Sequence, residues 1–326
     1  MKLNLTIAVG PYDRMLALQD GSVVPEGIAV NFLPQPNVGE LFRRQARHAE
    51  FDVAEFSMST YTILHGQGDR RMIAIPVFPS RVFRHAHILV NAHAGIKEPK
   101  DLIGKRFGAA EYQQTAAIWQ RGFLQHDYGV HPSQVEWFFG MLNDPGPYAE
   151  RVPVDLPSNL RTRLIRDDQS LDQMLESGEI DALMAAGEPR SFRQGSPNVA
   201  RLFPDHRAVE AEYYRRTGIF PIMHTVVIKR DIYERAPWVA RSLYDAFEKS
   251  KAAAMRRFHG WGPIPFMLPW FEAHVEETEA LMGADPFVYG LEPNRKQLEM
   301  FLEYELEQGM IDEPIAVNDL FAIETR

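Results

Sequence analysis

Leu3, Leu5 and Ile7 alternate with Asn4 and Thr6 in "LNLTIAVG", the period-two pattern of a half-buried strand, and Gly10 ends it. "GIAVNFLP" repeats the pattern, and "NVGELFRRQARHAE" changes to a helical period between turn signals. "FDVAEFS" reads as a strand and "MSTYTILHGQG" as the helix after it. "RMIAIPVFP" and "RHAHILVNA" read as two further strands, the first closed by Pro79. From residue 96 the chain predicts a helical turn, a turn at Gly104-Lys105, the short strand "RFGAA" and a helix from about Gln114. "QVEWFFG" is strand-like. The stretch 141 to 163, with Pro145, Pro147, Pro153 and Pro157, reads as an extended loop. "SLDQMLESGEIDALMAA" predicts a helix stopped by Gly178 and then a strand, and "GIFPIMHTVVIKRD" predicts another strand. Beyond about 235 the period is helical in "WVARSLYDAFEKSKAAAMRR", "WFEAHVEETEALMG" and "RKQLEMFLEYELEQG". Strands and helices alternate without internal repeats, which is the pattern of an α/β protein.

Composition narrows the class. The 326 residues suffice for two ordinary domains, and 45% hydrophobic with 24% charged residues is ordinary for a globular chain. A net charge of −9 argues against nucleic acid or an anionic membrane as partner. The absence of cysteine excludes disulfides, thiolate metal sites and a Cys nucleophile. No apolar run approaches the ~20 residues of a membrane helix, and "MKLNLTIAVG" has neither a long apolar core nor a small-residue cleavage site. The expectation is therefore a cytoplasmic protein.

Residues 75 to 91, "IPVFPSRVFRHAHILVN", carry the first chemical signal. Arg81, Arg84, His85 and His87 run directly into apolar Ile88-Leu89-Val90, and buried guanidinium groups require partners. One reading is a salt bridge to Glu55 or Asp52. The other is a bound carboxylate, which an arginine fork matches in bidentate fashion, with Arg81 preferred over Arg84. His85 and His87 are expected on one face of a strand, where they serve as a proton donor or a metal-ligand pair, or as structural hydrogen-bond partners. His224 in "FPIMHTVVI" is a second acid–base candidate. Glu55 ends a strand, so it either accepts a proton from substrate or holds an arginine. Ser57, Ser59 and Thr60 open the following helix, as caps or as amide donors to an anion. Tyr112 and Thr115, between "RFGAA" and the next helix, repeat that geometry. "GPY" at 10 to 12, with Asp13 and Arg14 beside it, is a candidate site-lining turn, whereas His274, Glu276 and Glu277 read as a solvated helix face. Neither a P-loop nor a GxGxxG nor a Gly-x-Ser-x-Gly is present, so nucleotide and serine-hydrolase readings lack support.

The segments "KDLIGKRFGAAEYQQTA", "ESGEIDALMAA" and "LEQGMI…NDLF" resemble the type II periplasmic-binding-protein fold. That resemblance implies two α/β lobes with a ligand cleft between them, crossings near 93 to 99 and 206 to 221, lobe one at 1–95 plus 220–326, and lobe two at 96–219. Within this fold, "FDVAEFSMSTY", "IPVFPSRVFRHAHILVN", "DLIGKRFGAAEYQQTAAIWQRG", "YYRRTGIFPIMHTVVI", "LPWFEAHVEETEALMG" and "YGLEPNRK" resemble the 4,5-dihydroxyphthalate decarboxylases along nearly the whole chain. The stretch 141 to 163 follows that family only in outline.

The resemblance implies a carboxy-lyase of phthalate degradation that converts a catechol dicarboxylate to protocatechuate and CO2. Direct loss of CO2 would leave an aryl anion in the ring plane. Protonating the carboxylate-bearing carbon avoids it, because the para hydroxyl feeds electrons into the ring. Such a site needs a general acid, cations or amides for the retained carboxylate, and a base or metal for the phenols. His85 or His224 would supply the proton and Glu55 would assist. Arg81, Arg84, Ser57, Ser59, Tyr112 and Thr115 would hold the substrate. The reaction is either cofactor-independent or assisted by a divalent metal. Without thiolates a metal would sit on His and carboxylate ligands, His85 and His87 being the secondary candidates, since the family pattern does not require histidine at 87. The expected partner is a small aromatic dicarboxylate, and the helices after 235 offer a face for a homo-oligomer. Two alternatives stay open: a non-catalytic solute-binding protein for an aromatic or sulfonated acid, and a decarboxylase of a related hydroxylated phthalate.

Overall fold

The structure is a computed structural model that describes residues 2–148, 150–259 and 266–325. Among these residues the strands are β1 (Leu3–Val9), β2 (Ile28–Pro34), β3 (Val53–Ser57), β4 (Met72–Ile75), β5 (Ile88–Asn91), β6 (Arg106–Ala109), β7 (Glu136–Phe139), β8 (Arg161–Leu164), β9 (Ala182–Met184), β10 (Val199–Arg201) and β11 (His224–Lys229). They form two sheets, ordered β2-β1-β3-β11-β4 and β10-β5-β9-β6-β7-β8.

Contacts divide the chain into two compact units. The first comprises Met1–Arg81, Ile222–Glu299 and Ile315–Arg326; the second comprises Val82–Pro221 and Met300–Pro314. The changes of unit therefore fall at Arg81/Val82 and Pro221/Ile222 rather than at 95/96 and 219/220. The reason is pairing: β5, expected in the first lobe, bonds antiparallel to β9 and β10. Residues 300–314 join the second unit because Phe301 and Tyr304 pack their rings on Trp119.

In the first unit, parallel β1, β2 and β3 all end at one sheet edge. β11 runs antiparallel between β3 and β4, so its first residue, His224, lies at that same edge opposite Ser57. The apolar strand residues are buried here, with Leu5, Ile7, Val53, Ile73, Ile75, Val226 and Ile228 all almost without exposure. In the second unit β6 is parallel to β7 and β9, and Leu89, Leu171, Leu175, Ile180 and Leu183 form its core.

Three local expectations are corrected. His85 and His87 do not lie on a strand; His85–His87 is a single 3₁₀ turn, and β5 begins at Ile88. The extended loop assigned to 141 to 163 gives way at Arg161 to β8, whose four residues are all exposed and are held by parallel pairing to β7; residue 149 of that loop lies outside the described residues. The strand expected over 218–231 starts only at His224. Among the described residues, no helix is long and apolar enough to cross a membrane.

Candidate active site

Glu55 sits near the carboxyl end of β3 and is fully buried. It pairs across the ladder with Val226, and His224 lies two residues earlier on the same face of β11, the diagonal neighbour of Glu55. The consequence is a contact of 2.6 Å between His224 Nδ1 and Glu55 Oε1. Tyr12, from the turn after β1, donates its hydroxyl to the same oxygen at 2.6 Å. The Gly10 amide donates to Oε2 at 2.8 Å. Burial alone pushes the Glu55 carboxyl up. The hydrogen bond and charge of His224, then the donors Tyr12 and Gly10, outweigh it and hold the group below the usual carboxylate range. Glu55 thus holds a histidine, a tyrosine and a backbone amide, with no arginine among these donors.

The His224 ring packs edge-on against Phe42 with centroids 4.7 Å apart, and its side chain keeps 16% exposure. With Nδ1 committed to Glu55, Nε2 is the nitrogen left for other chemistry. The backbone of the neighbouring segment completes the arrangement. Ser80 C=O accepts from the Met223 amide at 2.9 Å, and Pro79 C=O accepts from Arg14 Nε at 2.7 Å. The Arg14 guanidinium lies 4.2 Å from the centre of the Tyr12 ring.

Ser57 caps the helix Met58–Gly66, accepting from the Thr60 amide, and Ser59 Oγ lies 3.3 Å from Ser57 Oγ. Ser57 ends β3 opposite His224, and Ser59 lies in the first turn of the helix that follows. Arg81, also in the first unit, meets neutral acceptors: Gln297 Oε1 at 3.1 Å, Val288 C=O at 2.7 Å and Asn294 Oδ1. It is 4% exposed. Neither Glu55 nor Asp52 is its partner in these bonds.

The remaining candidates belong to the second unit. Arg84 is buried and donates to Ala186 C=O at 2.8 Å; burial lowers its pKa to about 10, against the opposing charge of Glu210. His85 stacks on Phe123 at 4.0 Å between centroids and meets Phe203 and Tyr213 edge-on. Burial, and secondarily the Arg216 charge, push it down to about 3. His87 is held down to about 4 by burial and then by Arg84. Both imidazoles are therefore neutral near pH 7. Tyr112 and Thr115 are buried at the start of the helix Thr115–Tyr128, which has no side-chain cap at Gln114. Tyr112 carries the guanidinium of fully buried Arg121 on its ring at 3.6 Å. Among the described residues, no group of three or more His, Cys, Asp or Glu side chains is placed to hold a metal ion.

The fold brings Glu55 and His224, two separate sequence candidates, into contact. It adds two residues that sequence reading left as a site-lining turn, Gly10 and Tyr12. Their contact with Glu55 is not encoded locally, since Tyr12 and His224 lie 43 and 169 residues from it.

No protein-family model matches the chain. The solved periplasmic aliphatic sulphonate binding protein SsuA from Escherichia coli superposes with a TM-score of 0.55 at 12% identity, covering 99% of this chain and 98% of that one. The molecule therefore has a periplasmic-binding-protein-like α/β fold, here with a buried carboxylate–imidazole pair at a sheet edge. The 4,5-dihydroxyphthalate decarboxylase of Comamonas testosteroni is 38% identical over 320 residues, which is 98% of this chain and 96% of that protein. The enzyme of the same name from Pseudomonas putida is 40% identical over 214 residues, 66% of this chain and 82% of that protein. The chain belongs to the 4,5-dihydroxyphthalate decarboxylase family and is a carboxy-lyase.

Proposed function

We propose that this chain converts 4,5-dihydroxyphthalate to protocatechuate and CO2, with His224 as the proton donor. The near full-length similarity to a protein named for that substrate carries the reading, and the 2.6 Å contact between Glu55 and His224 supports the role of the histidine.

The para hydroxyl raises electron density at the ring carbon bearing one carboxylate. His224, as imidazolium, delivers the Nε2 proton to that carbon. The C–C bond then breaks, its electrons restore the aromatic ring, and CO2 leaves. One proton from water reloads His224, so one proton is consumed per turnover. Glu55 supplies the counter-charge that the imidazolium requires in a buried setting. In this reading Ser57 and Ser59, at the amino end of the helix Met58–Gly66, would receive the retained carboxylate, an end at which the helix dipole favours an anion.

The test is direct. Purified protein incubated with 4,5-dihydroxyphthalate should release protocatechuate and CO2 in equal amounts. His224→Gln should lower kcat by about 10²-fold or more, the usual worth of a positioned general acid. A His224→Gln variant with wild-type kcat would remove the histidine from the mechanism. Failure of the native protein to turn over the compound would remove the substrate.

A further inference from the structure

A buried carboxylate beside an imidazole can exist in two arrangements with opposite consequences. If Glu55 is ionised, it accepts from His224 Nδ1–H, and Nε2 is free to take up and give out a proton. If Glu55 is protonated, its O–H donates to Nδ1. His224 is then a neutral imidazole with hydrogen on Nε2, a poor acid with no basic nitrogen left for reloading. Full burial favours the second arrangement, because the charged form loses its water. Something must tip the balance.

Three donors converge on this carboxylate. Beside His224, Tyr12 Oη donates to Oε1 at 2.6 Å and the Gly10 amide to Oε2 at 2.8 Å. The phenol is itself buried next to a negative charge, so its pKa lies far above the usual range and it remains a donor. The ring of Tyr12 is backed by the Arg14 guanidinium, which is tied to Pro79 C=O. Gly10 has a second constraint: a Cβ at that position would fall 2.7 Å from Tyr12 Cε2 and 3.1 Å from Glu55 Oε2. Only a residue without a side chain lets the amide and the phenol reach the two oxygens together. The groups facing Glu55 are thus His224 from β11, Tyr12 from the turn after β1 and the Gly10 amide, with Arg14 behind the tyrosine.

We propose that Tyr12 and Gly10 are positioning residues of the reaction: by donating to both oxygens of Glu55 they hold it as an anion, fixing hydrogen on Nδ1 of His224 and reserving Nε2 for proton exchange. This rests on the assignment of His224 as the proton donor. Neither residue needs to touch substrate for the effect.

Tyr12→Phe keeps the ring and its stack on Arg14 and deletes only the hydroxyl. It should lower kcat about tenfold or more, since one pKa unit on Glu55 is tenfold in its ionised fraction once the group titrates in the working range. KM should stay within about threefold. Because ionised Glu55 beside imidazolium and protonated Glu55 beside neutral imidazole hold the same number of protons, raising the pH should not restore rate in Tyr12→Phe, and Glu55→Gln should likewise stay slow at every pH. Nitrogen-15 spectra of the histidines give a reading without turnover: the native protein should show His224 with hydrogen on Nδ1, and Tyr12→Phe should show a growing Nε2–H form. An unchanged tautomer in Tyr12→Phe overturns the proposal whatever the rate does. A changed tautomer with native kcat upholds the positioning role and overturns His224 as the proton donor, so the two failures are separable.

Discussion

Arg81 illustrates how neutral acceptors far along the chain help to hold a buried cation. Its guanidinium donates to Val288 C=O, Asn294 Oδ1 and Gln297 Oε1, and Asn294 Nδ2 in turn donates to Gly290 C=O at 2.7 Å. Neutral acceptors leave the charge in place and distribute it over a turn of the first unit. Removing the side chain takes this donor from Gln297 Oε1, whereas Val288 C=O and Asn294 Oδ1 keep Asn294 Nδ2 and Gln297 Nε2 as donors, so one group is left unsatisfied at a cost of ~1–3 kcal/mol. Arg81→Ala should therefore lose about 1–3 kcal/mol of stability, seen as a lower urea midpoint with an unchanged slope. Arg81→Lys, which keeps the charge but not the fork, should recover only part of it. A variant as stable as the native protein would show that these acceptors find other donors. The run of Arg81, Arg84, His85 and His87 advertised buried cations correctly. It could not reveal that Arg81 is met by residues more than two hundred positions away.

At the scale of elements, strands with one buried face were legible and strands without one were not. β1, whose Leu5 and Ile7 are buried between less buried Asn4 and Thr6, follows the alternation of its apolar residues. β8 has no buried residue, so its existence depends on pairing to β7, which no local pattern encodes. The 3₁₀ turn at His85–His87 was misread because two residues at spacing i, i+2 next to an apolar run imitate a strand edge. Glycine inside a helix is a further blind spot. Gly122 lies in the helix Thr115–Tyr128, where alanine would gain up to about 1 kcal/mol in helix propensity. A Cβ there would fall 2.0 Å from Tyr304 Cδ2. The tyrosine ring cannot swing away cheaply, being stacked on His126 at 5.0 Å and edge-on to Trp119. Gly122→Ala should thus destabilise the second unit by about 1–3 kcal/mol, the range for overpacking. A raised urea midpoint in that variant would mean that the helix can shift away from the ring.

The molecule as a whole should respond to acid one unit at a time. In the second unit His85 and His87 are depressed to about 3 and about 4, mainly by burial. Unfolded, each takes a proton near its ordinary value of 6.5; folded, each does so only near 3 to 4. The unfolded state therefore binds more protons, and stability falls as pH drops from about 6.5 toward 4, by up to about 1.4 kcal/mol per pH unit for each histidine. Glu210, raised by burial, works in the other direction and retains its proton in the fold above its ordinary 4.5, which softens only the acid end of this window. The first unit carries one histidine shifted the same way, buried His65, and the depressed carboxyl of Glu55, whose contribution is lost below about 4.5. Calorimetry at successively lower pH should therefore show a transition that broadens or splits between pH 6.5 and 4.5, the second unit melting first, and a single two-state analysis should then fail. His85→Phe keeps the stack on Phe123 and removes one proton from the linkage. It should take about half of the pH slope out of the earlier transition and leave the later one unmoved. An earlier transition whose slope is unaffected by His85→Phe would place the acid sensitivity in groups other than this buried turn.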